Sequence, residues 1–108
     1  MPPGPPDNKL LVLIPAFNEE GRIASVIRKA WRVLPLAQIL VVNDGSADGT
    51  REEALRAGAM VLSHPFNLGY GTALQTGYKY ALSAGYRYLV QMDGDGQHDP
   101  LDIPALLK

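Results

Sequence analysis

The chain has 108 residues, of which 46% are apolar and 19% charged, with a net charge of -1 and no cysteine. This suits one small domain of ordinary globular composition. The near-neutral balance supplies no basic field for nucleic acid, and the lack of cysteine excludes a disulfide framework and any thiolate metal site or nucleophile. No apolar stretch approaches the roughly 20 residues that span a bilayer, and the opening MPPGPPDNK lacks the apolar core of a signal peptide. A cytoplasmic chain is therefore expected, with residues 1–8 as a proline-rich flexible arm and 9–108 as one unit.

The first element is the apolar run KLLVLI, Lys9 to Ile14, which predicts a buried parallel strand ended by Pro15. From Glu19 the period changes: Ile23, Val26, Ile27, Ala30, Trp31 and Leu34 recur three or four apart, the face of an amphipathic helix that Pro35 stops. QILVVN (Gln38 to Asn43) predicts a second strand. DGSADGT follows as a loop rich in turn residues, in which Ser46 and Asp48 are expected to cap the next helix. That helix runs from Thr50 to Ala57, with Gly58 at its C-terminal cap. AMVLSH gives a third strand, NLGYGTALQTGYKYALSAG a glycine-rich start and a helix ending at Gly85, and RYLVQM a fourth strand. DPLDIPALLK is expected to begin another helix.

Strands separated by helices of this length predict an α/β fold: a Rossmann-like parallel sheet with helices on both faces. Ligands of such sheets bind beyond the carboxyl ends of the strands. The polar clusters PAFNEE, NDGSADGT, NLGYG and DGDGQHDP follow the four strands in turn, so they converge on one rim.

Asp93 and Asp95 flank Gly94 at the end of the fourth strand, and a turn at Gly94 or Gly96 lets both carboxylates approach one point. With the Gln97 amide oxygen they suit a hard divalent cation, Mg²⁺ or Mn²⁺, whose other ligands are water and substrate phosphate oxygens. A calcium-binding loop would need Gly and Glu where His98 and Pro104 stand. Asp44, at the tip of strand two, can accept N–H bonds from a base edge. Phe17 can lie against a base or ribose, or enter the core. Glu19 can accept a ribose hydroxyl, or simply favour the start of its helix. Tyr70, Tyr78 and Tyr80 read as packing or surface residues, and His98 is a stronger candidate for a direct role than His64.

Together the motifs IPAFNEE, VVNDGSADGT, NLGYGTALQTG and MDGDGQHDP resemble the N-terminal half of the family 2 inverting glycosyltransferases, most of all the dolichyl- and polyprenyl-phosphate branch, over Lys9 to Pro104. The resemblance implies the GT-A fold and a GDP- or UDP-sugar donor. It implies a metal held by Asp93, Asp95 and Gln97, and nucleoside contacts from Pro15, Phe17 and Glu19. Val42 and Asp44 match the base-binding stretch, and Gly94 lies within the metal motif. It further implies transfer with inversion to a lipid phosphate or glycan acceptor, bound by a C-terminal part outside this chain, at the cytoplasmic face of a membrane. Asn43 stands where the family commonly has a first acid, and Tyr70 where relatives often carry a basic residue. On this reading the chain is a donor-binding half with little activity alone, whose cut sheet edge favours self-association. Two alternatives stay open: a non-catalytic nucleotide-binding module, and a phosphotransferase with Asp93 as nucleophile.

Overall fold

The computed structural model describes residues 10–94 and the backbone of 105–106. The order is β1 (Leu10–Ala16), α1 (Ile23–Val33), β2 (Gln38–Asn43), α2 (Thr50–Arg56), β3 (Met60–Ser63), α3 (Tyr70–Ser83), β4 (Tyr88–Gln91) and β5 (Ala105–Leu106). The sheet runs β3-β2-β1-β4-β5, with β1 to β4 mutually parallel. The α/β sheet expected from the apolar runs is present. The expected last helix is not seen in its described part: Ala105–Leu106 pairs antiparallel with β4. Two apolar residues between Pro104 and Leu107 satisfy a free strand edge as readily as a helix face. The N-terminal arm lies outside the described residues.

Side chains of a strand alternate between faces, and here each face has its own core. Val12, Ile14, Ile39, Val41, Val90 and Met92 pack with Ile23, Val26, Ile27 and Ala30 of α1 and Ala54 of α2. Leu11, Leu13, Leu40, Val42 and Leu89 pack with Ala73 and Ala81 of α3. These strand residues are essentially inaccessible, and burying each such side chain stabilises by about 1.5–3 kcal/mol. Against α3 the approach is tight: a Cβ on Gly77 would stand 2.3 Å from Leu13 Cδ1, so the helix lies on β1 only because position 77 has no side chain.

The division into two faces follows from direction. The chain steps from β1 to β2 to β3 toward one edge, then returns past β1 to place β4 on the other side. Right-handed crossovers put helices made in opposite directions on opposite faces. Between β1 and β4 the strand order therefore reverses, and at such a point the loops leaving the two strands diverge and open a crevice. The pairing of β1 with β4 ends at Leu13 and Gln91, whereas β1 stays paired with β2 as far as Ala16 and Asn43.

Candidate functional site

A hollow of about 210 Å³ opens at that reversal, lined by Pro15, Glu19, Tyr70, Asp93 and Gly94. Pro15 comes from the end of β1, Glu19 from the loop after it, Tyr70 from the first residue of α3, and Asp93 and Gly94 from the end of β4. The residues expected to share one rim thus meet from three loops. Gly94 closes the floor. A Cβ there would meet Ala16 Cβ and the Pro15 carbonyl oxygen at 3.1 Å and Glu19 Cγ at 3.2 Å, so a side chain would have to push the two loops apart.

The loops after β1 and β2 are bonded to each other. Asn18, at a φ of 54°, donates its N–H to Ser46 Oγ at 2.9 Å and accepts the Ala47 N–H on its own Oδ1 at 2.8 Å. Glu19 N–H donates to Thr50 Oγ1 at 2.8 Å, and Glu20 N–H to Asp48 Oδ2 at 3.3 Å. Gly49 N–H returns a bond to Glu20 Oε1 at 2.8 Å. The Glu53 carboxylate of α2 accepts the N–H groups of Gly21 at 2.7 Å and Ala24 at 2.9 Å, so the start of α1 is satisfied by a side chain of its neighbour. Led by the Gly21 bond, and against a smaller opposing effect of burial, these contacts hold the Glu53 carboxyl below its ordinary value.

Several expected roles change. Ser46 does not cap α2, since its hydroxyl serves Asn18. Asp48 does accept the Thr50 N–H at 3.0 Å, but from one residue outside the N-cap, which is Gly49. Asp44 is turned inward and is 4% exposed. Its Oδ1 takes the Leu68 N–H at 2.9 Å and meets His64 Nδ1 at 2.8 Å, while its Oδ2 takes the Gly69 N–H at 2.9 Å. Burial raises its pKa, but the His64 ring and the two N–H groups outweigh that and hold it below the ordinary carboxylate value. Through both oxygens Asp44 secures the loop leading to α3. His64 Nε2 continues the link to Thr76 Oγ1 at 2.8 Å. The Val42 side chain lies in the α3-side core. The amide of Asn43, also buried, donates to Ser63 Oγ at 3.1 Å and accepts the Ser46 N–H at 3.2 Å.

Phe17 is 45% exposed, which removes the core reading and leaves its ring at the rim. Glu19 Oε1 accepts Arg22 Nε at 2.7 Å. Tyr70 is exposed, as expected of a surface residue; it also lines the hollow, and its hydroxyl donates to Asp93 Oδ1 at 3.3 Å. Burial first, then the Asp93 carboxylate, raises the Tyr70 phenol above its ordinary value. Tyr78 and Tyr80 pack against the α3-side core as expected. Asp95, Gln97 and His98 lie outside the described residues.

An open parallel sheet with a polar crevice at the reversal of its strand order defines a doubly wound α/β domain whose ligand site is that crevice. The profile described as glycosyl transferase family 2 matches residues 11–108, and the chain belongs to that family. It is 34% identical over 111 residues to polyprenol monophosphomannose synthase of Mycolicibacterium smegmatis, covering 94% of this chain and 41% of that protein. It is also 34% identical to undecaprenyl-phosphate mannosyltransferase of Micrococcus luteus, covering 93% of this chain and 43% of that one. Among solved structures, glucosyl-3-phosphoglycerate synthase from Mycobacterium tuberculosis in complex with Mn²⁺, uridine diphosphate and glucosyl-3-phosphoglycerate superposes with a TM-score of 0.67 at 31% identity, over 82% of this chain and 34% of that one. The chain thus spans about two fifths of the length of these curated relatives. The resemblance read from the four motifs is borne out, and the phosphotransferase alternative falls.

A cation such as the Mn²⁺ of that complex suits the donors present here. Asp93 offers a hard carboxylate to the hollow that Glu19 also lines. Among the described residues no group of three or more His, Asp or Glu converges as a complete cage. A cation held by one or two carboxylates that completes its shell with substrate phosphate needs no such cage. No helix among the described residues is long and apolar enough to cross a membrane.

Proposed function

We propose that residues 9–108 are the donor-binding half of an inverting glycosyltransferase. The donor is a GDP- or UDP-sugar and the acceptor a polyprenyl phosphate. The observation that carries this reading is the hollow at the strand reversal, with carboxylates from both of its sides. The kinship to two polyprenyl-phosphate mannosyltransferases supports the acceptor class, and the uridine diphosphate complex supports the donor class.

In this reading Pro15 walls the nucleoside, the Phe17 ring lies against the base or ribose, and Glu19, steadied by Arg22, accepts a ribose hydroxyl. Asp44 acts behind the site by fixing the loop that carries Tyr70. Asp93, with Asp95 and Gln97, would hold Mg²⁺ or Mn²⁺, which when bound stabilises the charge developing on the departing diphosphate. Gly94 keeps the floor clear of side chains where the β1 and β4 loops meet. An acceptor phosphate oxygen attacks the anomeric carbon from the face opposite the diphosphate, the bond to the diphosphate breaks, and the configuration inverts. That oxygen is already anionic near neutral pH, so it needs no strong base.

Titration calorimetry on the full-length protein tests the reading. UDP or GDP should bind at least about tenfold more tightly with Mn²⁺ than with a chelator, a cation held by carboxylates whose outer shell alone is worth that much. Asp93→Asn should remove the difference. Equal affinity with and without metal would overturn the assignment.

A further inference from the structure

Tyr70 occupies a position that composition and spacing mark only as surface, yet its hydroxyl sits at the junction of a hydrogen-bonded chain. Gln91 Nε2 donates to the Tyr70 oxygen at 2.5 Å. Tyr78 O–H donates to Gln91 Oε1 at 3.3 Å. The single proton of the Tyr70 hydroxyl then points to Asp93 Oδ1, at 3.3 Å. A phenol has one proton to give, and an amide has distinct donor and acceptor ends. Once Gln91 fills the oxygen of Tyr70 from behind, the direction of the whole series is fixed: Tyr78 to Gln91, Gln91 to Tyr70, Tyr70 to Asp93. Donors aligned head to tail polarise one another, and the carboxylate is the terminus.

The placement follows from the fold. Gln91 and Asp93 are two residues apart at the end of β4, so they lean to the same side. Tyr70 is the first residue of α3 and reaches them from the neighbouring element. Tyr78 stands eight residues further along the same helix and is half-buried against the α3-side core.

We propose that Tyr70 is a positioning residue: its hydroxyl, aimed by Gln91 and Tyr78, fixes the orientation of the Asp93 carboxylate in the hollow. This deepens the proposed function and rests on Asp93 as a ligand for the cation.

The experiment measures Mn²⁺ binding to the full-length protein, with UDP present, from the electron paramagnetic resonance signal of free Mn²⁺. Tyr70→Phe keeps the ring and loses the proton. It should weaken Mn²⁺ binding about tenfold, as removal of an outer-shell partner does. Gln91→Met should weaken it in the same direction, and the double variant should bind no worse than Tyr70→Phe, because members of one chain are not additive. Wild-type Mn²⁺ affinity in Tyr70→Phe, or full additivity in the double variant, would overturn the proposal. Asp93→Asn separates the two readings. If it too keeps wild-type affinity, the metal assignment itself falls. If it loses Mn²⁺ while Tyr70→Phe does not, only the role of Tyr70 falls.

Discussion

On the β1–β2 side of the rim, the backbone N–H groups of residues 18–21, 24, 47 and 49 all end on oxygen atoms of side chains from the opposite loop or helix. On the β4–α3 side, the link from the Gln91 amide through the Tyr70 hydroxyl to Asp93 runs between side-chain ends. Backbone donors cannot change partners without moving the chain, whereas side-chain ends can rotate. The first side is therefore a preformed wall and the second an adjustable one. The division suits a ligand with a constant nucleoside end and a phosphate end that must gain and lose a cation. Variants of the first side should cost stability, and variants of the second should cost binding.

The largest expected loss is at Gly45, where the wall meets the loop before α3. Its φ is +75°, and an added Cβ would stand 2.2 Å from the Phe66 carbonyl carbon and 2.4 Å from the Asn67 nitrogen. Both are backbone atoms, so no side chain can swing away. Gly45→Ala should destabilise by at least about 3 kcal/mol, since it combines a disfavoured backbone conformation with overpacking. Urea unfolding followed by circular dichroism measures it. A loss below about 1 kcal/mol would mean that the two loops are not locked together and that the comparison fails on its rigid side.

How much of this was legible beforehand depends on the range of each interaction. The continuous apolar runs in KLLVLI and QILVVN named residues that the sheet then sorted into two cores. Gly58 and Gly85, expected at helix ends, have φ of +98° and +86°. The convergence of Glu19, Asp93 and Gly94 followed from topology, because a parallel sheet brings its strand ends to one side. Partner choice was hidden. Asp44 with Gly69 spans 25 residues, and Glu53 with Gly21 spans 32. No local period reports which acid turns inward, and nothing in the sequence pairs Asp44 with Gly69 or Glu53 with Gly21. The link from Tyr70 to Asp93 was hidden because a phenol shows its partners only through the atoms it touches. The antiparallel β5 was missed because two residues carry no periodicity.

A smaller effect separates the wall's charge from its shape. Glu53 has a folded pKa below its ordinary 4.5 because it accepts the Gly21 and Ala24 N–H groups. A carboxyl depressed in the folded state adds stability that is fully present above the unfolded value and is lost as pH falls through the folded one. Glu53→Gln should therefore cost about 1 kcal/mol at pH 7, the order of one hydrogen bond. The gap between wild type and variant should close as the pH is lowered from 4.5 toward and past the depressed value. Asp44 and Asp48, also depressed from 3.8, titrate in both proteins and drop out of the difference. Thermal unfolding at a series of pH values gives the gap directly, and one that stays constant down to pH 2 would show that the carboxylate charge is not what holds α1.

The smallest expected change in stability falls where the rigid wall turns its one large apolar group outward. Phe17 is half-exposed, directly before the Asn18 turn, and belongs to neither buried core cluster. Phe17→Ala should shift stability by no more than about 0.5 kcal/mol, as for a surface substitution away from caps and cores. Its ring should matter to a base instead, because stacking on an aromatic side chain is worth about 1–3 kcal/mol per base. Affinity for the nucleoside diphosphate should then fall about tenfold with the metal present, while the affinity for Mn²⁺ alone stays at the wild-type value. Calorimetry with each ligand separates the two. Should the variant lose stability instead and bind the nucleotide as before, Phe17 would belong to the wall's own packing, and the nucleoside would have to lie elsewhere along the rim.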